Sequence, residues 1–174
     1  GLGAGGHPPP PSGNRGVTFT DPFGLKADTV EIGCRSVEGL EGAAQHCAVR
    51  VHNEKVDKTF ELLNVGGRNV IGTAPADQVA RYAGSWVVSE APDGMTSQQY
   101  DNAVLSNAST IAVERNGARY SPFGGSNSNR YVYDVVTSSG GQVPAGALSG
   151  RTGVAPGLCG GVGLMTGGNC SVRH

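Results

Sequence analysis

The sequence predicts an α+β fold: an antiparallel sheet packed against helices, with Gly-rich ends. Three observations predict it. Short β-patterned runs occupy the first half, at 29–32, 46–51, 58–63 and 85–89. Helical patterns dominate the second half, from 96 onward. Glycine supplies 29 of the 174 residues, too many for a helix bundle, because glycine is a poor helix residue.

Each element has its own reason. Residues 1–16, GLGAGGHPPPPSGNRG, contain too little apolar surface for a core and read as an exposed arm. Asp21-Pro22-Phe23-Gly24 suits a turn, since Pro fixes φ and Gly accepts φ > 0. HCAVRV (46–51) and KTFELL (58–63) flank a polar stretch and read as a hairpin. TAPADQVARY (73–82) suggests a short helix capped by Thr73, with Pro75 in its first turn. Thr96-Ser97-Gln98-Gln99 is a capping box, and Tyr100, Ala103, Val104, Ala108 and Ile111 share one face of the helix it starts. The last helix is expected over 126–139, with Val132, Val135 and Val136 as its stripe and Gly140-Gly141 as its stop. From 142 onward the chain reads as a loop-rich tail. The organisation is therefore an arm over 1–25 and one domain over 26–174.

Composition excludes several functions. Thirteen Lys+Arg against 14 Asp+Glu leave a net charge of −1, so no basic phosphate-tracking surface is expected. No apolar run approaches the roughly 20 residues of a bilayer span. The opening residues lack a charged-then-apolar leader, and a chain starting at Gly1 reads as a fragment or a processed piece. Cys34, Cys47, Cys159 and Cys170 show no CxxC spacing, and histidines occur only at 7, 46, 52 and 174, so neither metal nor cofactor is expected. All four cysteines are disulfide candidates, and spacing does not choose a pairing. GLCGGVGLMTGG (157–168) lacks the P-loop lysine and reads as tail.

Two segments carry candidate chemistry. His46 begins a β-patterned run, and Gly125-Ser126-Asn127-Ser128-Asn129 feeds directly into a helix. A hydroxyl at a helix start benefits from the unpaired N–H groups of the first turn, which also suit an oxyanion. A strand histidine facing it can take its proton. Hairpin arithmetic adds a third member. If Val51 faces Lys58, His46 faces Leu63, and Glu61 lies diagonally across on the same face, where it can orient the imidazole. A slip of one residue would remove Glu61 from that face. Cys47, next to His46, points to the opposite face of a strand and reads as core or disulfide partner.

HCAVRV followed much later by SNSNRYVYDVV resembles the circularly permuted papain-like domains of NlpC type, including the lecithin:retinol acyltransferase-like proteins. The resemblance covers about 44–136. It implies a permuted papain-like fold with a nucleophile-bearing helix, His46 as base and Ser128 where that family carries cysteine, flanked by Asn127 and Asn129 as substrate or oxyanion residues. It implies hydrolase or acyltransferase chemistry on an amide or ester, in a peptidase, an amidase or an enzyme acting on lipid acyl groups. Serine is the departure. It is compatible with a natural serine nucleophile, with a serine substituted for a catalytic cysteine, and with an inactive binding module of the same fold.

Phe19-Thr20-Asp21-Pro22-Phe23-Gly24 resembles the motif that closes the core of rearrangement-hotspot (Rhs) repeat proteins. That resemblance implies a C-terminal toxin used in interbacterial competition, secreted or delivered into a target cell. Its implied partners are the Rhs core shell and a cognate immunity protein, with the domain otherwise a monomer. A toxin directed at nucleic acid or nucleotides is the rival reading, which the near-neutral charge disfavours.

Overall fold

The computed structural model describes residues 28–40, 43–122, 125–148, 154–158, 164–166 and 169–171. The arm, the 19–24 motif and Cys159 lie outside these residues, as does the side chain of Cys170.

The chain has mixed α and β content. Strands β1 (Thr29–Ser36), β2 (Gln45–His52), β3 (Asp57–Val65), β4 (Arg68–Thr73) and β5 (Val87–Ser89) form one antiparallel sheet in the order β4-β3-β2-β1-β5. Helix α1 (Ala76–Ala80) follows β4, and α2 (Ser97–Arg115) and α3 (Ser128–Ser138) follow β5. A 3-10 turn over Ala145–Leu148 leads to β6 (Val154–Pro156), β7 (Leu164–Thr166) and β8 (Asn169–Ser171), a second antiparallel sheet. The expected loop-rich tail thus contains short strands.

Turn chemistry sets the register. The Asn53 side-chain oxygen accepts from the Lys55 and Val56 N–H groups, closing the turn between β2 and β3. Val51 then pairs with Lys58, the register on which the placement of Glu61 was conditional. Gly66 (φ 59°) and Gly67 (φ 80°) form the two-residue turn from β3 to β4, where both positions need φ > 0.

Sequence reading missed β4, and this corrects the first predicted helix. Thr73 does not cap α1; it ends β4, paired with Phe60. Pro75 is the N-cap of a shorter helix, with no side-chain cap bond. The capping box at Thr96 is present as expected, with Gln99 reaching back to the Thr96 N–H. On α2, Tyr100, Val104, Ala108 and Ile111 are buried, while Ala103 is half-buried.

Period-two alternation divides the sheet into two faces. Val30, Ile32, Cys34, Cys47, Val49, Val51, Phe60 and Leu62 pack against the buried faces of α2 and α3. A disulfide joins Cys34 to Cys47, which are directly opposed on β1 and β2. The other face carries His46, Glu61 and Arg35, with Tyr82 and Trp86 packed nearby. Gly33 lets Trp86 lie on that face, since a Cβ at this position would sit 2.6 Å from Trp86 Cε3.

Candidate active site

The site begins where the central hairpin stops pairing. Strands β2 and β3 pair from His52↔Asp57 to Val49↔Phe60 and no further. Beyond that point the start of α3 takes over one edge of β2. The Asn129 side chain accepts from the Cys47 N–H at 3.0 Å and donates to the Gln45 carbonyl at 3.0 Å. These backbone groups flank His46 on both sides. One amide therefore ties the strand position of the imidazole to the first turn of the helix that carries Ser128.

The loop before α3 is equally constrained. The Asn69 Nδ2 donates to Ser126 Oγ at 2.8 Å and to the Arg115 carbonyl. Asn127 caps the helix by accepting from the Arg130 N–H, and its Nδ2 donates to the Pro122 carbonyl. Ser128 is the first residue of α3, 2% exposed. Its N–H meets no acceptor among the described residues, as expected for a first-turn donor.

His46 has an oriented ring. Its Nε2 lies 3.2 Å from Glu61 Oε2, across the diagonal that the register requires. The Tyr82 hydroxyl donates to the same oxygen at 2.9 Å. Nδ1 has no hydrogen-bond partner among the described residues. Burial above all, then the charges of Arg35 and Arg81, hold His46 below the ordinary histidine pKa, outweighing the Glu61 hydrogen bond and charge. Burial pushes the Glu61 pKa up, but the hydrogen bonds from His46 and Tyr82 outweigh it and leave the net shift downward. The pair at neutral pH is a neutral imidazole with Nε2–H donating to a carboxylate, which leaves the Nδ1 lone pair as the base.

His46 and Ser128 line one cleft of about 460 Å³, together with Arg35, Leu63, Arg81 and Tyr120. Among the described residues no hydrogen bond joins Ser128 to His46; the Ser128 hydroxyl contacts Asn129 Oδ1 at 3.4 Å. Glu61 lies behind the imidazole. Asn127 and Asn129, expected as substrate or oxyanion residues, also line the cleft. Their side chains are engaged as helix cap and strand clamp, because the loop and the β2 edge each hold backbone groups needing partners. Of the first-turn N–H groups of α3, that of Arg130 is taken by the Asn127 cap.

Sequence reading missed Tyr82, Arg35 and Tyr120. Arg35 had a readable signal, since it is the direct cross-strand partner of His46. Tyr82 and Tyr120 come from loop segments whose placement no local pattern encodes. Among the described residues no group of three or more His, Cys, Asp or Glu side chains is arranged to hold a metal ion, and no helix is long and apolar enough to cross a membrane.

Comparison with protein-family models, with curated proteins and with solved structures finds no match.

Proposed function

We propose that this domain is an acyl-transfer enzyme of permuted papain-like type, with Ser128 as nucleophile, His46 as base and Glu61 as the residue that orients His46. The observation that carries the reading is the buried His46–Glu61 hydrogen bond on a strand clamped by Asn129 to the helix start bearing Ser128. In the proposed reaction the Ser128 Oγ attacks an amide or ester carbonyl and its proton passes to His46 Nδ1. The backbone N–H of Ser128 donates to the developing oxyanion. The bond to the leaving amine or alcohol breaks, and that group takes the proton from His46. Water or a second acceptor then attacks the acyl-serine, and His46 accepts and returns the proton.

The biological reading accompanies this chemistry. The domain is the effector module of an Rhs-type protein, delivered into a competing cell, and a cognate immunity protein covers the cleft. A non-catalytic binding module is the second reading, favoured by the Ser128 hydroxyl resting on Asn129 rather than on His46. A fluorophosphonate probe separates the two. The expected result is covalent labelling of Ser128, lost in Ser128→Ala and strongly reduced in His46→Ala. No labelling of the intact chain, together with no thiol-probe labelling of Ser128→Cys, supports the binding module.

A further inference from the structure

Arg35 stands directly opposite His46, so the row across β3, β2 and β1 reads Glu61, His46, Arg35. The other charged groups that line the cleft or face the imidazole are engaged. Arg81 is paired with Glu38 at 3.0 Å, and Glu61 accepts from His46 and Tyr82. Arg35 lies over the Tyr82 ring at 5.4 Å and makes no ion pair among the described residues. Its Nε is buried without a hydrogen-bond partner. A buried guanidinium N–H left unmatched is costly, and a guanidinium is shaped to meet a carboxylate. Its charge also opposes protonation of the base beside it. The second cost is relieved when an anion enters the cleft and meets the guanidinium charge. The walls around it, Val37, Leu40, Leu63 and Pro156, are apolar and suit a carbon chain.

We infer that the cleft takes an acyl substrate carrying a carboxylate a few bonds from the reacting carbonyl, and that Arg35 reads that carboxylate. This rests on the acyl-transfer reading above. The Arg35 guanidinium is held by Tyr82 but is in no ion pair among the described residues, and it matches a single negative charge. The α3 N-terminus in the same cleft adds a partial positive charge near the reacting oxygen.

The test compares two activated esters that differ in one group, mono-4-nitrophenyl glutarate and 4-nitrophenyl butyrate. The intact chain is expected to prefer the glutarate in kcat/KM by on the order of ten- to a hundredfold, the range of a charge-assisted hydrogen bond. In Arg35→Met the ratio falls toward one, with Arg35→Lys intermediate and circular dichroism confirming the fold of each. The acid limb of kcat/KM moves to higher pH in Arg35→Met, because a cation facing His46 is gone while Glu61, Arg81 and Tyr82 remain. A ratio near one in the intact chain, or a ratio unchanged by Arg35→Met, overturns the inference while leaving acyl transfer standing. If neither ester turns over, calorimetry on Ser128→Ala decides. Glutaramic acid binding that needs Arg35, with butyramide not binding, upholds the carboxylate site. Equal binding of the two, or none of either, overturns it.

Discussion

At the scale of single residues, the site depends on buried polar groups that have few alternatives to their present partners. Glu61 is 2% exposed and accepts from both His46 and Tyr82 on one oxygen. Glu61→Gln keeps the shape but removes the charge that would favour the imidazolium of the proposed reaction. Activity is expected to fall by about 10³- to 10⁴-fold, the scale seen when the orienting acid of a triad is neutralised. The pH dependence of stability follows from the same groups. His46 has a lowered pKa in the fold, so the unfolded chain gains protons first, and stability declines as pH falls below about 6.5. Glu61 is also lowered, so the stability its ionised form supplies is present above the ordinary carboxylate range and lost on further acidification. Denaturant melts at pH 7, 5.5 and 3.5 check both steps, and His46→Gln should remove the first.

At the scale of elements, Asn129 and the Cys34–Cys47 bridge act on the same stretch of β2. Asn129→Ala removes both bonds to β2 and leaves the buried Cys47 N–H without its acceptor, worth about 1–3 kcal/mol, so a loss of that size is expected by urea denaturation. Reducing the disulfide, which spans 13 positions, should lower stability by about 2–3 kcal/mol, measured as the difference in unfolding free energy with and without reductant. Much at this scale was legible in advance. The polar turn after His52 and the alternation on either side indicated the hairpin, and the observed one of its possible registers puts Glu61 beside His46. The capping box was an equally local signal, whereas the last helix, expected from 126, starts at Ser128 because Asn127 is its N-cap. Strand β4 was missed because Arg68–Thr73 is short and weakly alternating, although the Gly66-Gly67 pair before it is a hairpin signal. The Asn129 clamp was illegible for a different reason: its partners lie 82 and 84 positions away, and nothing in the local sequence selects them.

At the scale of the molecule, the two faces of the large sheet do different work. The α2 and α3 side holds the apolar core, and the opposite side holds the polar row with Tyr82 and Trp86. The contact between Trp86 and Gly33 fixes the segment leading from Tyr82 to β5. Gly33→Ala should force that segment outward, with a stability loss of about 1–3 kcal/mol in a thermal melt and a change in Trp86 fluorescence, the only tryptophan in the chain.

The join between β2 and α3 has a consequence for how the protein matures. Strands β3 to β5 and helices α1 and α2 separate the imidazole from the hydroxyl along the chain, and the proposed chemistry needs both. A ribosome-bound precursor that ends within α2 therefore lacks the serine altogether. The strand edge beyond Val49 is covered only once the α3 amide reaches it, so activity of the proposed kind has to wait for that docking.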